Sequence, residues 1–269
     1  MRPPRAIVAA TTGAGCSTPR HPAAQPPPRR SPTHVVRARG EHWRAHSHCH
    51  LPISVGQAYH SGAKMLATID WINRHADAPF TRCTIVLADT LQRHNLTALA
   101  AQDAWDQAHR AGSAWLDRNN AALDACTVPL RVIRWSELLA RPGYQAFRDR
   151  LTQLQTQNAA FAAALDQAVA SWLARQAASD PAAGQRSRAY LMEELACTAV
   201  LASDTPAACC YPGSLEHLAA LRKIAFPDFV RTVAGTPQHL AAFEETRLHL
   251  SRRRRPSPAV PLAVPHRRR

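Results

Sequence analysis

Short apolar segments rich in β-branched residues alternate in this sequence with longer segments of helical character, and this alternation constrains the fold more than any other feature. The clearest apolar segment is Thr-Ile-Val-Leu-Ala at 84–88, which is typical of a buried parallel strand. We predict strands at 48–54, 84–88, 128–133 and 207–211, and helices from residue 61 and over 97–124, 144–176, 186–202 and 214–224. Strands that alternate with helices predict an α/β fold, with a parallel sheet flanked by helices.

Three polar side chains stand at the ends of predicted strands. Ser54 ends the first strand, Asp89 follows the second, and Tyr211 ends the last. Because ligands bind beyond the carboxyl ends of the strands in such a sheet, we expect these residues to share one crevice. The turn after the first strand has neither GxGxxG nor a P-loop motif, and Ser54 is not within GxSxG. A nucleotide site and a hydrolase nucleophile elbow are therefore not supported.

A second feature is the segment AYLMEEL within a predicted helix. Tyr190 and Glu194 are four residues apart, so their side chains share one helix face. Glu193 lies about 100° around the helix from Glu194, and we expect its side chain to be solvated. Taken alone, a Tyr–Glu pair at this spacing is more often structural than functional.

Positive charge is concentrated at both ends of the chain. The net charge is +14, and residues 1–40 and 250–269 each hold seven arginines and no acidic residue, so the segment between them is formally neutral. Because the ends are rich in Pro and Arg and lack apolar periodicity, we predict disordered basic tails at 1–44 and 246–269 around one folded domain at 45–245. Such tails either attract polyanions, RNA included, or serve as solubilising extensions.

Other patterns disfavour several classes of protein. No apolar run approaches the roughly 18 residues that a membrane-spanning helix needs, and the apolar stretch at 6–10 is too short for a signal peptide, so we expect a cytoplasmic protein with no membrane partner. The seven cysteines form no CxxC pair, which favours reduced, buried thiols. His46, His48 and His50 would share one face of a strand, but no second ligand cluster accompanies them, so we predict no metal site.

Taken together, these residues resemble the cyclodipeptide synthase family. The segment ISVGQAY at 53–59 is similar to the family's nucleophile segment, in which a serine is followed two positions later by Gly and then by a residue that marks the subfamily. Here the serine is Ser54 and the marker residue is Gln57. Asp89-Thr90, directly after a strand, looks like the family's second strand end.

The later motifs extend the resemblance over roughly residues 45–235. YLMEE at 190–194 is similar to the family's YxxxE helix signature. Tyr211-Pro212 resembles the Tyr-Pro of the subfamily called XYP, in which Gln57 would be the X; the sister subfamily has Asn there and a residue other than Pro after the tyrosine. No single motif is specific, and the resemblance rests on their order and contexts.

The resemblance implies a Rossmann-like fold akin to the catalytic domain of class I aminoacyl-tRNA synthetases. It implies two aminoacyl-tRNAs as substrates, with no ATP and no cofactor, because the amino acids arrive as activated esters. Ser54 would attack the first ester to form an aminoacyl-enzyme, in a ping-pong reaction. The amine of the second aminoacyl-tRNA would then attack to give a dipeptidyl intermediate, and cyclisation would release a 2,5-diketopiperazine.

The resemblance also implies roles for the other matching residues. Glu194 would hold the α-ammonium group of the first aminoacyl group, with Tyr190 hydrogen-bonding beside it. Tyr211 would donate or relay protons around the tetrahedral intermediate, and main-chain groups near Gly56 would polarise the attacked carbonyl. The candidate catalytic residues are Ser54, Tyr190, Glu194 and Tyr211, and the candidate substrate-binding residues are Pro52, Gly56, Gln57, Val86, Asp89 and Pro212.

One departure and two alternatives accompany this interpretation. The family often has Gly two residues before the nucleophile, where this chain has Pro52, which bears on pocket shape more than on the reaction. Val86 would line the same pocket or belong to the core, and His60, Arg93 and His94 are expected at the rim or in structural roles. The alternatives are a catalytically silent tRNA- or RNA-binding relative and an unrelated serine acyltransferase or hydrolase. The amino acids, the tRNA isoacceptors, the docking surface, the oligomeric state and any downstream tailoring enzyme stay open.

Overall fold

In the computed structural model, strands and helices alternate through the described residues, which are 33–39, 42–74, 80–96, 98–176, 182–204, 207–213, 216–226 and 245–252. The elements are β1 (His34–Arg39), β2 (His48–Ser54), α1 (Gly62–Asn73), β3 (Arg82–Ala88), α2 (Ala101–Asp124), β4 (Leu130–Arg134), α3 (Trp135–Leu139), α4 (Tyr144–Gln157), α5 (Ala159–Gln176), α6 (Ala183–Asp204), β5 (Ala208–Tyr211), α7 (Glu216–Ala225) and β6 (Glu245–Arg252). Short 3-10 helices at Ala58–His60 and Thr90–Asn95 follow β2 and β3. The four predicted strands are all present; the strand at 48–54 has the predicted ends, and the ends of the others differ by at most two residues.

The described strands form one six-stranded sheet in the order β1-β6-β5-β2-β3-β4. Neighbours from β6 through β4 are parallel, and β1 joins the edge antiparallel to β6. This arrangement confirms the predicted α/β fold with a parallel sheet and adds the antiparallel edge strand. β3 and β4 extend the sheet on one side of the parallel β2–β5 pair, and β6 and β1 extend it on the other side. The order in which strands are added therefore reverses between β2 and β5.

The prediction of disordered tails at 1–44 and 246–269 is wrong for the parts that the structure describes. β1 pairs with β6 along its whole length, with Val36 opposite Leu250. Thr246 and Leu248 are buried, whereas the intervening Arg247 is exposed. This alternation has the period of two that a strand requires, and a composition averaged over a basic segment hides it. Residues 1–32 and 253–269 of the predicted tails lie outside the described residues.

The segment predicted as one helix over 144–176, with room for a break, forms two helices separated at Asn158. The Asn158 side chain accepts a hydrogen bond of 2.9 Å from the N–H of Phe161, which is the usual way an asparagine caps a helix start. The break allows Leu151 of α4 and Phe161 and Leu165 of α5 to bury their side chains in one cluster with α6. None of the described helices combines the length and apolar character that crossing a membrane requires.

Helices cover both faces of the sheet. Ile85 and Leu87 of β3 pack with Met65, Ile69 and Trp115 of α1 and α2. Val86, which points to the opposite face, packs with Cys197 and Leu201 of α6. Helix α6 is buried around most of its circumference, because α4, α5 and α7 contact it in addition to the cluster that it shares with the sheet. The buried thiols Cys49, Cys83, Cys197 and Cys210 agree with the prediction for the cysteines.

Candidate active site

Ser54 ends β2 and Tyr211 ends β5, the two parallel strands between which the strand order of the sheet reverses. The two strands pair through Cys49 with Ala208 and His50 with Cys209, so their carboxyl ends point to the same edge. In open α/β sheets this switch point is where ligands bind. Of the three residues expected in one crevice, the structure brings Ser54 and Tyr211 into contact, whereas Asp89 is fully buried and bound to Arg134.

Three hydroxyl groups form a continuous chain at this edge, which we call the hydroxyl chain. The Ser54 Oγ lies 3.0 Å from the Tyr211 hydroxyl, and that hydroxyl lies 3.0 Å from the hydroxyl of Tyr59. Each contact is within hydrogen-bonding distance, and either atom can donate. Sequence reasoning missed Tyr59, although its position five residues after Ser54 in a short helical turn brings it back toward the strand end. The chain offers a route for a proton away from the serine.

The turn that presents Ser54 depends on glycine. Gly56 has a φ of 94°, a conformation that other residues adopt only with strain. The N–H of Gln57 donates to the Ser54 carbonyl over 3.2 Å and closes the turn. Gly56 and Gln57, which follow Ser54 in this turn, are exposed.

His60 holds the main chain of the serine. The Ser54 N–H donates to Nδ1 of His60 over 2.8 Å, so the neutral ring carries its proton on Nε2. Burial lowers the pKa of His60 to about 4, against a smaller opposing contribution from the Ser54 backbone. The indole of Trp115 donates to the His60 carbonyl over 2.7 Å and joins the turn to α2. The sequence predicts His60 either at the rim of the site or in a structural role. The side chain is buried, so the structural role applies.

Tyr211 is a neutral phenol held in one position. Burial raises its pKa well above the ordinary value, and the hydrogen bond with Ser54 opposes that rise only in part. The ring lies against Gly213, where an added Cβ would overlap the ring carbons. It also meets the rings of Tyr59 and His60 edge-to-face, with centroids 6.1 and 5.4 Å away. A phenol so fixed relays protons as a neutral group and does not act as a phenolate base.

Helix α6 brings the predicted Tyr–Glu pair to the same region. The Tyr190 hydroxyl accepts a hydrogen bond of 3.4 Å from Gln92 of the 3-10 helix that follows β3. Burial raises the pKa of Tyr190, and the Glu194 carboxylate raises it further. Glu194 also raises the pKa of Tyr211, although burial and the contact with Tyr59 raise it more. The half-buried carboxylate of Glu194 therefore contributes to the raised pKa of both tyrosines.

The prediction that Glu193 is solvated is wrong. Glu193 is 4% exposed, and it accepts hydrogen bonds from Arg93 Nη1 over 2.8 Å and from the Trp135 indole over 2.9 Å. His94 lies 3.2 Å from its other oxygen, which Arg93 also contacts. Burial by itself would raise the pKa of Glu193, but the His94 and Arg93 contacts lower it. The error has a simple cause: α6 is enclosed on several sides, so a rotation of 100° from Glu194 leads to another buried face.

Asp89 is placed differently from its predicted role in substrate binding. Its side chain is fully buried, and Arg134 Nε donates to it over 2.7 Å. The N–H groups of Thr90 and Trp135 donate to its other oxygen, over 2.8 and 3.4 Å. Gly112 of α2 lies against this carboxylate, where a Cβ would collide with it. These contacts leave no open face for a substrate, so the structure corrects the interpretation of Asp89 to one of positioning the 3-10 helix that follows it.

The other candidate substrate-binding residues lie near the carboxyl ends of β2, β3 and β5. Pro52 is half-buried and lies opposite Val86 in the β2–β3 register, so the two share one face of the sheet. Val86 is 1% exposed and belongs to the cluster on which Tyr190 packs, so it supports the tyrosine from the core. Pro212 is half-buried directly after Tyr211.

The histidines at the start of β2 have other contacts. His48 Nε2 lies 2.8 Å from the hydroxyl of Thr84, and the ring of His50 packs edge-to-face on that of His48 at 4.6 Å. Within the described ranges, no group of three His, Cys, Asp or Glu side chains is arranged to hold a metal ion.

Comparison with known proteins identifies the family. A family model described as cyclodipeptide synthase matches residues 36–222, which is more than half of the chain. The chain belongs to the cyclodipeptide synthase family and is an enzyme of the tRNA-dependent aminoacyltransferase class. The resemblance inferred from the motifs is confirmed at this level, and the alternative of an unrelated serine hydrolase or acyltransferase is excluded. No sequence among the curated proteins matches the chain.

Solved structures support the fold. A cyclodipeptide synthase from Fluoribacter dumoffii matches with a TM-score of 0.70 at 24% identity, covering 82% of this chain and 99% of its own. One from Candidatus Glomeribacter gigasporarum, solved bound to Phe-tRNAPhe, has a TM-score of 0.54 at 18% identity and covers 82% and 93% of the two chains. A Mycobacterium tuberculosis protein, described as relating cyclodipeptide synthetases to type I tRNA synthetases, has a TM-score of 0.54 at 20% identity, with coverage of 72% and 86%. The predicted Rossmann-like fold is confirmed.

Proposed function

We propose that this enzyme joins two aminoacyl groups from aminoacyl-tRNAs into a cyclic dipeptide, through an aminoacyl ester on Ser54. The observation that carries the proposal is the hydroxyl chain at the switch point of the sheet, in which Ser54 contacts Tyr211 and Tyr211 contacts Tyr59. Membership of the cyclodipeptide synthase family supports the substrate class. Because the substrates are already activated esters, the chemistry requires neither ATP nor a cofactor, and we place it in the cytoplasm, where aminoacyl-tRNAs are made.

In the first half-reaction, Ser54 Oγ attacks the ester carbonyl carbon of the first aminoacyl-tRNA. A bond forms between Oγ and that carbon, and the bond to the ribose oxygen of the tRNA breaks. The proton that leaves Oγ passes to Tyr211, which gives up its own proton toward the departing ribose oxygen, so protons balance. The raised pKa of Tyr211 supports this role, because the phenol stays protonated and ready to donate.

We assign to Glu194 the binding of the α-ammonium group of the first aminoacyl group. A carboxylate next to two neutral tyrosines, Tyr190 and Tyr211, offers a charge-assisted hydrogen bond to an α-ammonium group. Such a contact fixes the carbonyl of the same aminoacyl group relative to Ser54. Exposed Gly56 and its N–H stand beside the serine and would polarise the attacked carbonyl, since the Ser54 N–H already donates to His60.

In the second half-reaction, the amine of the second aminoacyl-tRNA attacks the ester carbonyl carbon on Ser54; an amide bond forms, the bond to Ser54 Oγ breaks, and Oγ regains a proton that the amine gives up, which leaves free Ser54 and a dipeptidyl-tRNA. The free amine of this intermediate then attacks the ester carbonyl that joins it to the tRNA; the six-membered ring closes, the bond to the ribose oxygen breaks, and that oxygen leaves as a hydroxyl with the proton that the amine loses. Neither step needs a base stronger than a hydroxyl relay, because esters are good electrophiles.

The residues at the three marker positions support assignment to the XYP subfamily. Gln57 stands exposed in the turn after Ser54, and Tyr211-Pro212 ends and follows β5. Asn in place of Gln57 and a residue other than Pro in place of Pro212 would mark the sister subfamily. The double variant Gln57→Asn, Pro212→His tests whether these positions support the hydroxyl chain, since a structural dependence predicts loss of product.

The proposal is tested by expressing the chain in a bacterial host and analysing the medium for diketopiperazines by mass spectrometry. We expect product from the wild type and none from Ser54→Ala. Ser136→Ala is the matched control, because Ser136 lies on α3 and its hydroxyl makes no hydrogen bond among those described. Undiminished product from Ser54→Ala contradicts the nucleophile assignment, and no product from a folded wild type favours the catalytically silent relative.

An intact-mass measurement of the purified protein separates the two parts of the proposal. Incubation with a mixture of aminoacyl-tRNAs should add the mass of one aminoacyl group to the wild type. The Ser54→Ala variant should gain no mass under the same conditions. A gain in both proteins would show that another residue accepts the acyl group.

A further inference from the structure

A cavity of about 330 Å³ opens at the amino ends of β2, β3 and β4, at the edge of the sheet opposite Ser54. Its wall includes three arginines and two histidines, together with apolar side chains from β4 and α6. The lining residues used below are His48, His50, Arg82, Arg131, Arg141, Ile133, Leu201 and Asp204. The hydroxyl chain lies at the other end of β2. Ser54 is six residues from His48, which at a rise of about 3.3 Å per residue gives a separation of roughly 20 Å.

The strand register places the cationic residues on one face. His48 lies opposite Arg82 in the β2–β3 ladder, and His50 lies opposite Thr84. Thr84 in turn lies opposite Arg131 in the β3–β4 ladder. Directly opposed residues point to the same side of a sheet, so both arginines and both histidines project toward the cavity side together.

The charges in the cavity are not balanced. Arg141 pairs with Asp204, the acidic residue of the wall. Arg82 and Arg131 are exposed, and the side chain of neither makes an ion pair or hydrogen bond with any residue in the described ranges. Two positive charges therefore face a concave wall without a counter-charge from the described chain, and a concave low-dielectric wall concentrates their field.

His50 supplies a further unused polar group. It is 8% exposed, and no hydrogen bond among the described residues uses its ring. Burial lowers the pKa of His50 to about 3, with further contributions from His48, Arg82, Arg141 and His46. Burial followed by the Arg82 charge lowers the pKa of His48 to about 4. Both rings are neutral at pH 7, so each carries one N–H and adds no positive charge.

We propose that this cavity binds the phosphate group of a phosphate ester. The negative charge of the phosphate, about −2 for a monoester and −1 for a phosphodiester, complements the two unpaired guanidinium groups of Arg82 and Arg131, whose planar forks match its oxygens. The imidazole of His50 adds a donor or acceptor at the buried end. One water molecule occupies about 30 Å³ in the liquid, so the cavity volume is roughly ten times larger. The organic part of the ester therefore has room beside Ile133 and Leu201.

The experiment titrates the full chain with inorganic phosphate at pH 7, with ionic strength held constant by NaCl. Ring signals of selectively ¹⁵N-labelled histidine are followed by NMR. We expect a saturable shift of the His50 signal and an unchanged His60 signal, because His60 lies at the other edge of the sheet. The variant Arg82→Gln, Arg131→Gln should lose the saturable shift. Because both side chains are exposed and unpaired, this variant should keep its fold, which the His60 signal reports.

The matched control is Arg110→Gln, Arg118→Gln, which removes the same charge from the exposed face of α2 and should respond as the wild type does. The absence of a saturable shift in the wild type, or an equal shift in the Arg82 and Arg131 variant, overturns the proposal. A short single-stranded RNA distinguishes the source of the phosphate. If RNA displaces inorganic phosphate, the ester belongs to a nucleic-acid backbone; if only glycerol phosphate does, it belongs to a small molecule.

Discussion

Two polar networks meet at helix α6, and they are built from different chemistry. On one side, the hydroxyl chain of Ser54, Tyr211 and Tyr59 consists of neutral groups that can each donate or accept. On the other side, Glu193 is surrounded by Arg93, His94 and Trp135, a set that we call the ion-pair cluster. Glu194 belongs with the first network and Glu193 with the second, although the two are adjacent in sequence.

The difference separates chemistry from architecture. A buried carboxylate that is fully paired cannot accept a substrate's ammonium group without losing its partners, and its removal leaves buried charges uncompensated. Neutral hydroxyls exchange protons with little change in charge, which suits a relay at a reacting centre. The ion-pair cluster also holds the 3-10 helix Thr90–Asn95 against α6, and that helix carries Gln92 to the Tyr190 hydroxyl.

The largest effect is expected for Glu193→Ala. Removing the carboxylate leaves the Trp135 indole without its acceptor and Arg93 with the Thr90 carbonyl but no counter-charge, and breaking a buried pair costs about 3–5 kcal/mol of unfolding free energy. The measurement is denaturant unfolding beside Asp117→Ala, an exposed acid on α2 that should change stability by less than about 0.5 kcal/mol. Equal stability of the two variants would show that the ion-pair cluster contributes nothing. Glu193→Gln keeps an acceptor for Trp135 and should fall between them.

Glu194→Gln should produce the opposite pattern. Charge-assisted hydrogen bonds contribute about 1.5–3 kcal/mol, so we expect a loss of product formation of roughly 10- to 100-fold. Unfolding free energy should change far less than it does in Glu193→Ala. The measurement is the rate of diketopiperazine formation at a temperature where both variants are folded. If Glu193→Gln reduces that rate as strongly as Glu194→Gln does, the division between the two networks fails.

Acid should affect the two networks in different pH ranges. The pKa of His60 is lowered from 6.5 to about 4. As pH falls from 6.5 toward 4, His60 is protonated in the unfolded chain but not in the folded chain, so the folded state loses stability. His60 alone should account for a loss of about 2 kcal/mol of unfolding free energy between pH 7.5 and 5, in addition to the losses from His48 and His50, whose pKa values are also lowered. His60→Asn keeps an acceptor for the Ser54 N–H without titrating, and it should lack this part of the slope. The stabilisation from Glu193, whose pKa is lowered, should persist until pH falls below the ordinary glutamate range.

The smallest effect is expected for Tyr59→Phe. The variant removes the end of the hydroxyl chain but keeps the contact between Ser54 and Tyr211, so a single hydrogen bond of about 0.5–1.5 kcal/mol is lost. We expect product formation to fall by roughly three- to tenfold. Tyr144→Phe is the control, because no described hydrogen bond uses the Tyr144 hydroxyl. A loss as large as that of Ser54→Ala would mean that Tyr59 takes a direct part in the chemistry.

Most of the fold could be predicted from local pattern. The β-branched strands at 48–54 and 84–88 and the long helices were visible because the period of apolar residues reports which face is buried. The strands β1 and β6 were missed because each can be recognised as a strand only through its pairing with the other, across some 200 residues of sequence. The basic composition of both segments points toward a solvated tail, and only the ladder between them reveals the alternation.

The sequence by itself determined the family, the positions of Ser54 and Tyr211 at the ends of strands, and the shared helix face of Tyr190 and Glu194. These features depend on residue type and local spacing. Tertiary structure decided which carboxylate is half-buried and which is fully buried in an ion pair, since α6 is enclosed by elements far away in sequence. It also decided that Asp89 pairs with Arg134 and that Tyr59 extends the hydroxyl chain. Contacts of this kind depend on the distance between side chains of separate elements, and no local periodicity encodes that distance.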